Sequence, residues 1–134
     1  MDPRKMREAV YQIAYALNFE ADGDDVVKLV SSQLKINQTH AKNAYARACL
    51  LMEKASELDA AISVASKEYA LDRIPKAELT ILRLGAFELL FDDDVPEKVA
   101  ISEAIRLARK FVTSDGARFI NAALDALIPE KSIA

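Results

Sequence analysis

The sequence has little of what most catalytic and metal-binding sites require. Its 134 residues include one cysteine, Cys49, one histidine, His40, three glycines and no tryptophan. One cysteine cannot form an internal disulfide, and no zinc-ligand cluster and no Cys-His-Asn or Ser-His-Asp signature is present. Three scattered glycines cannot build a phosphate-binding loop or a dinucleotide fingerprint. The sequence therefore predicts no metal, no cofactor and no enzymatic activity, and His40 is interpreted as a helix-start residue.

A surplus of basic residues is also missing. Lysine and arginine number 18 against 21 acidic residues, which gives a net charge of -3. Any binding of nucleic acid must therefore be local or assisted by a partner. No uncharged apolar run approaches the ~18 residues that a membrane span requires, and the N-terminus lacks the apolar core of a signal peptide. Together with the single cysteine, these features predict a cytoplasmic protein.

Apolar residues at helical spacing are what the sequence has in abundance. Hydrophobic residues make up 51% of the chain, and they recur with the period of an α-helix almost everywhere. No sustained alternation of period two indicates strands. At roughly 100 to 200 residues per domain, the length allows one domain. We therefore predict a single all-α domain over residues 1–134, a compact bundle of about seven short helices.

The predicted helix boundaries rest on capping residues, prolines and polar breaks. The seven predicted helices cover about 3–17, 25–35, 39–55, 57–69, 75–91, 98–111 and 114–128, and the fourth could be continuous with the third. Asp2 caps the first helix, Asp24 or Asp25 the second and Ser114 the seventh. Gly85 lies inside the fifth helix at a cost of about 1 kcal/mol relative to alanine, which predicts close packing of a neighbouring backbone.

Two groups of basic residues could contact phosphates. One stands at the start of the first helix and consists of Arg4, Lys5 and Arg7. The other lies on the sixth helix, where Arg106, Arg109 and Lys110 share one surface because their spacing is i, i+3 and i+4, with Arg118 just inside the next helix. Either group could equally be an ordinary solvated surface.

Three motifs follow one another in the C-terminal half of the chain. They are ILRLGAFELL at 81–90, DVPEKVAISEAIRLARKF at 94–111 and DGARFINAALD at 115–125. In sequence and spacing they resemble the NusB family of transcription antitermination factors. Arg7, Gln12 and Tyr15 match a weaker motif of that family, whereas about 21–69 match no motif.

The resemblance implies an all-helical fold of two small helical subdomains that pack across each other. It also implies recognition rather than catalysis. NusB proteins pair with a small-subunit ribosomal protein, also called NusE, and the pair binds the boxA element of ribosomal RNA leaders. The pair joins a complex that keeps RNA polymerase from terminating.

The resemblance further implies roles for individual residues. The residues that it assigns to RNA binding are Arg4, Lys5, Arg7, Asp115, Arg118 and Phe119. Tyr15 and Glu78 resemble positions that face the ribosomal-protein partner. The polar motif residues Arg83, Glu88, Glu103 and Asn121 are interpreted as holding the fold together, because polar groups within helix contacts are usually structural.

The sequence departs from the family pattern at several positions. The first helix has three basic residues where many relatives carry a longer arginine run, Ala122 follows Asn121 where glycine is usual, and Ser102 replaces a common asparagine. A shorter basic arm predicts weak, salt-sensitive RNA binding by the chain alone, strengthened by the partner. The basic residues Arg106, Arg109 and Lys110 could compensate by supplying further phosphate contacts.

Other functions remain open at this point. The reduced arginine run and the acidic balance also fit a protein-interaction module that kept the fold and lost RNA binding. A NusB-like unit also occurs as the helical accessory domain in front of RNA methyltransferase domains, and an enzyme in its own right is a further alternative. An exposed apolar patch on the middle helices would favour a homodimer.

Overall fold

The computed structural model describes residues 1–67 and 69–128, and all regular structure in these ranges is helical. The helices are α1 Pro3–Leu17, α2 Gly23–Leu34, α3 Gln38–Glu53, α4 Ala55–Ala65, α5 Lys76–Phe91, α6 Glu97–Phe111 and α7 Ser114–Asp125, with a 3₁₀ turn at Leu71–Arg73. The prediction of an all-α protein of about seven helices is confirmed. Pro129, the predicted stop of the seventh helix, lies outside the described residues. None of the described helices is long and apolar enough to cross a membrane.

The cap of α1 is the predicted one, whereas that of α2 is not. The Asp2 carboxylate accepts a hydrogen bond from the Arg4 N–H at 3.0 Å, with Pro3 in the first helical position. In α2 the prediction of Asp24 or Asp25 is wrong, because the carboxylate of Asp22 accepts from the N–H groups of both residues, at 2.9 and 3.1 Å. Asp22 has the extended backbone that a cap requires, and Asp24 and Asp25 lie inside the first turn.

The cap of α7 is also displaced by one residue. Thr113, not the predicted Ser114, has the extended backbone of a cap, and its hydroxyl accepts from the Gly116 N–H at 2.9 Å. At the start of α3, the Asn37 side chain accepts from the His40 N–H at 2.8 Å. His40 is therefore a helix-start residue, as predicted.

Two other helices end earlier in the chain than predicted. α3 ends at Glu53 and α4 begins at Ala55, so the two helices are separate. α4 ends at Ala65, short of the predicted 69, and the Ser66 hydroxyl then donates to the Tyr69 carbonyl at 2.8 Å. A serine that bonds the backbone in this way competes with continued helix.

The chain divides into two compact units, Met1–Glu53 and Lys54–Ala134. In the first unit, α1, α2 and α3 all contact one another. Its core is made of small and β-branched side chains, which allow close approach of the helices. The most buried of them are Ala9, Val10, Ile13, Ala14, Ala41, Ala44 and Ala48, and Leu51 is buried with them. A single domain over residues 1–134 stays a prediction.

The second unit is built around α5. All residues from Leu79 to Leu89 are buried, and α5 contacts α4, α6 and α7. Gly85 allows the approach of α7, because a Cβ at this position would lie 2.8 Å from the Leu124 Cδ1 atom. Close packing at Gly85 is thus confirmed, but the neighbour is a side chain rather than the predicted backbone.

Buried charges in the second unit are paired. The Arg83 guanidinium donates from Nε and Nη2 to the two carboxylate oxygens of Asp59, at 2.7 and 2.8 Å. Glu103 is buried and accepts from Arg106 Nε at 3.0 Å. Arg83 and Glu103 therefore have the structural contacts that the sequence predicted. Asn121 does not, because its side chain is exposed.

The Arg83–Asp59 pair can be tested by Asp59→Ala, which leaves the buried guanidinium without its bidentate acceptor. We expect a loss of about 2 kcal/mol in the free energy of unfolding, measured in urea. The matched control is Asp93→Ala in the exposed turn after α5, for which we expect a change of about 0.5 kcal/mol or less. Equal losses in the two variants would show that the pair contributes nothing specific.

Candidate nucleic-acid interface

The site residues predicted from the resemblance fall into two groups, one in each unit. Arg4, Lys5, Arg7 and Tyr15 belong to α1 in the first unit, and Glu78, Asp115, Arg118 and Phe119 belong to the second unit. The structure brings the second group together around the start of α7. Their assignment to RNA and partner stays a prediction.

The basic residues of α1 stand at an electrostatically unfavourable place. Arg4 and Lys5 are exposed, Arg7 is half-buried, and no acidic residue lies in the first turn. The amide groups at a helix N-terminus carry partial positive charge, so cations there cost stability and anions are attracted. This end of α1 is therefore suited to an anionic ligand.

Tyr15 is the middle ring of an aromatic series along α1. Its ring lies 6.2 Å from that of Tyr11 and 5.2 Å from that of Phe19, centroid to centroid. Burial, with a smaller effect of Tyr15, raises the pKa of Tyr11 to about 12. Tyr15 is 36% exposed and Phe19 58% exposed. Phe19 lies in the turn after α1 and outside the family motifs, so its contact with Tyr15 was not predicted.

The start of α7 packs directly against α5. A Cβ at Gly116 would lie 2.9 Å from the Glu78 Oε1 atom, so glycine lets the carboxyl group keep its position against the helix. Thr113 and Gly116 are joined by the capping hydrogen bond. Burial raises the pKa of Glu78 above its usual value, because an ionised carboxylate loses solvation there.

A cavity of about 300 Å³ opens beside this contact. Its lining consists of Tyr69, Arg73, Ile74, Pro75, Glu78, Thr113, Asp115, Gly116 and Phe119. The rings of Tyr69 and Phe119 meet edge to face at 5.3 Å. The structure thus places Glu78, predicted to face the protein partner, in the same cavity as Asp115 and Phe119, predicted to face RNA. Tyr69 and Arg73 lie outside the motifs and were missed.

Arg118 lies on the other side of α7 from this cavity. Its guanidinium forms an ion pair with Asp115, and both side chains are largely exposed. Arg118 also lines a groove of about 200 Å³ together with Ile105, Arg109, Ser114, Ala117 and Asn121. An exposed pair of this kind contributes about 1 kcal/mol or less, so it can yield to a competing anion.

The three basic residues in the C-terminal half of α6, Arg106, Arg109 and Lys110, have different surroundings. Arg106 is held by the buried Glu103, and the Lys110 ammonium lies 5.6 Å from the centre of the Phe111 ring. Arg109 is exposed and lines the groove beside Arg118. Within the described ranges, no group of three or more histidine, cysteine, aspartate and glutamate side chains could hold a metal ion.

Comparison with known proteins gives consistent matches over the whole chain. The model of the NusB family matches residues 4–129. Transcription antitermination protein NusB of Chlamydia pneumoniae is 34% identical over 131 residues, covering 97% of this chain and 82% of that protein. Transcription antitermination protein NusB of Lactiplantibacillus plantarum is 35% identical over 133 residues, covering 96% and 95%.

Solved structures share the fold. The structure of T. maritima NusB has a TM-score of 0.81 at 28% identity and covers 97% of this chain and 93% of its own. A crystal structure of antitermination factors NusB and NusE with double-stranded RNA has a TM-score of 0.79 and covers 95% and 96%. At 20% identity, the second likeness shows the fold alone.

The raised pKa of Glu78 predicts a pH dependence of stability. The folded protein binds this proton more tightly than the unfolded chain, so stability falls as pH rises from about 4.5 through the pKa of the folded state. Glu78→Gln cannot ionise and escapes this loss. Urea unfolding measures the free energy of unfolding of both proteins. The value for the variant minus the value for the parent protein is expected to increase between about pH 4 and about pH 7. A relative free energy that is constant or decreases would contradict the raised pKa.

Proposed function

The chain belongs to the NusB family, and we propose that it binds boxA-type leader RNA of ribosomal RNA operons jointly with NusE, a small-subunit ribosomal protein. The observation that carries this proposal is the start of α7, where Phe119 lines a depression on one side of the helix and Arg118 lines a second depression on the other side. The family is not enzymatic, which confirms the prediction of no catalysed reaction. The pair would act within an RNA polymerase complex in the cytoplasm, and a homodimer stays a prediction.

The aromatic cavity is suited to an unpaired base. Single-stranded RNA exposes base faces, and stacking on an aromatic ring is worth about 1 to 3 kcal/mol per base. Phe119 is half-buried and contacts Tyr69, so its ring is held in place while one side faces the cavity. Polar groups of Glu78 and Asp115 line the same cavity and could pair with a base edge.

The basic start of α1 supplies phosphate contacts of a general kind. Arg4, Lys5 and Arg7 would neutralise backbone charge without reading sequence. Because the chain carries a net charge of -3, binding by the chain alone is expected to be weak and sensitive to salt. A basic ribosomal protein would add positive surface of its own.

The partner face is proposed to include the exposed aromatic rings at the end of α1 and in the turn that follows it. Tyr15 and Phe19 contact each other and present apolar surface to solvent, and aromatic residues are enriched at protein interfaces. Glu78 in the second unit is the other proposed partner residue. A NusB–NusE complex among the solved structures of this fold supports a partner of this type.

The proposal is tested first by titrating boxA-type RNA and a scrambled RNA with the protein at about 50 and 200 mM salt, with and without NusE. We expect a preference for boxA-type RNA, a loss of affinity at the higher salt, and tighter binding when NusE is present. Equal affinity with and without NusE would contradict the joint site. Binding of NusE without any binding of RNA would favour the interaction module, as would Arg4→Ala and Arg7→Ala variants with unchanged RNA affinity.

The aromatic cavity is tested by Phe119→Leu, which keeps apolar volume and removes the stacking ring. RNA affinity in the presence of NusE is expected to fall about tenfold, because one base loses its stacking partner. The matched control is Phe91→Leu at the exposed end of α5, for which we expect unchanged affinity. The same loss in both variants, or in neither, would remove Phe119 from the RNA site.

A further inference from the structure

The groove between α6 and α7 has the chemistry of a phosphate site. It lies between the C-terminal half of α6 and the first half of α7, in a volume of about 200 Å³. Four of its six lining residues are polar or basic: Arg109, Ser114, Arg118 and Asn121. Guanidinium, hydroxyl and amide groups all donate hydrogen bonds, and arginine binds phosphate oxygens in a bidentate fork.

Arg109 is the side chain that distinguishes this groove from the rest of the basic surface. Of the three basic residues in the C-terminal half of α6, Arg106 is occupied by the buried Glu103 and Lys110 lies near the Phe111 ring. Arg109 is exposed at the groove, and the structure shows no ion pair for it within the described residues. Its charge is therefore available to a ligand.

Arg118 and Asn121 complete the groove from α7. They are spaced i and i+3, so their side chains lie on the same face of the helix. Both are exposed. Arg118 is paired with Asp115, and a phosphate would compete with that carboxylate for the guanidinium.

We infer that this groove binds a backbone phosphate of single-stranded RNA, next to the nucleotide whose base stacks on Phe119. The inference rests on the proposed RNA-binding function and adds Arg109 and Asn121 to its residues. Asp115 lines the aromatic cavity and pairs with Arg118, which lines the groove, so the two depressions lie on either side of one ion pair. A base of one nucleotide could then occupy the cavity while a phosphate of the neighbouring nucleotide occupies the groove.

The test uses the full chain with NusE and boxA-type single-stranded RNA, measured by fluorescence anisotropy at several salt concentrations. For Arg109→Gln we expect affinity to fall about fivefold and the slope of log affinity against log salt to flatten by about 0.7, the value for one phosphate contact on a single strand. Asn121→Asp places an acid in the groove and is expected to weaken binding further. Arg109→Lys keeps the charge and should restore the slope while recovering only part of the affinity.

The matched control is Lys98→Gln, which removes one positive charge from the exposed first turn of the same helix, about 16 Å from position 109 along the axis. Circular dichroism and urea unfolding of each variant verify the fold. If Arg109→Gln and Asn121→Asp have the same RNA affinity and salt slope as Lys98→Gln, while Phe119→Leu still weakens binding, the groove is not a phosphate site and the proposed function stands. If the parent protein does not bind boxA-type RNA, the proposed function itself fails.

Discussion

Burial of the central part of α5, Leu79–Leu89, is the constraint on which the second unit depends. A helix that is buried on every face must be covered on every side, and α4, α6 and α7 provide that cover. Two glycines determine how closely α7 approaches α5. Gly85 of α5 contacts the Leu124 side chain, and Gly116 of α7 contacts the Glu78 side chain. Because α7 is fixed at both points, its first turn has a defined position. The proposed RNA residues Arg118 and Phe119 therefore stand on a rigid element rather than on a loop.

Charge is distributed so that the fold and the proposed interface use different groups. Arg83 and Arg106 are committed to Asp59 and Glu103, and they contribute to packing within the second unit. Arg109 and Arg118 remain at the surface. An acidic protein can in this way present a few cations locally without attracting nucleic acid over its whole surface. Under the proposed function, a ribosomal-protein partner would add a second source of positive charge.

Sequence reasoning was most accurate where the signal is local. Helical periodicity and the proline at position 3 predicted the elements and the start of α1, because both act within a few residues. The caps of α2 and α7 were misplaced because several neighbouring side chains can all accept a backbone hydrogen bond, and only the backbone angles select Asp22 and Thr113. Contacts between residues far apart in the sequence could not be predicted in this way. No spacing in the sequence indicates that Tyr69 meets Phe119, since fifty residues separate them.

The same limit applies to the basic residues of α6. Their spacing places them on one surface, but it does not show that Glu103 holds Arg106 and leaves Arg109 at the groove. The motif residue Asn121 was assigned to the interior because polar residues in helix contacts are usually structural, and the structure instead leaves it exposed. Family resemblance supplied roles for Glu78 and Phe119, and only the fold shows that they line one cavity.

The part of α7 that carries Asp115 and Arg118, here called the ridge, lies between the aromatic cavity, which Asp115 lines, and the basic groove, which Arg118 lines. An RNA strand that occupies both depressions must place a base on one side of this ridge and a phosphate on the other. The covalent spacing of base and phosphate along the strand is constant, so a shift by a fraction of a nucleotide satisfies neither depression. The ridge would thus fix the register of the strand, and movement along it would occur in whole-nucleotide steps.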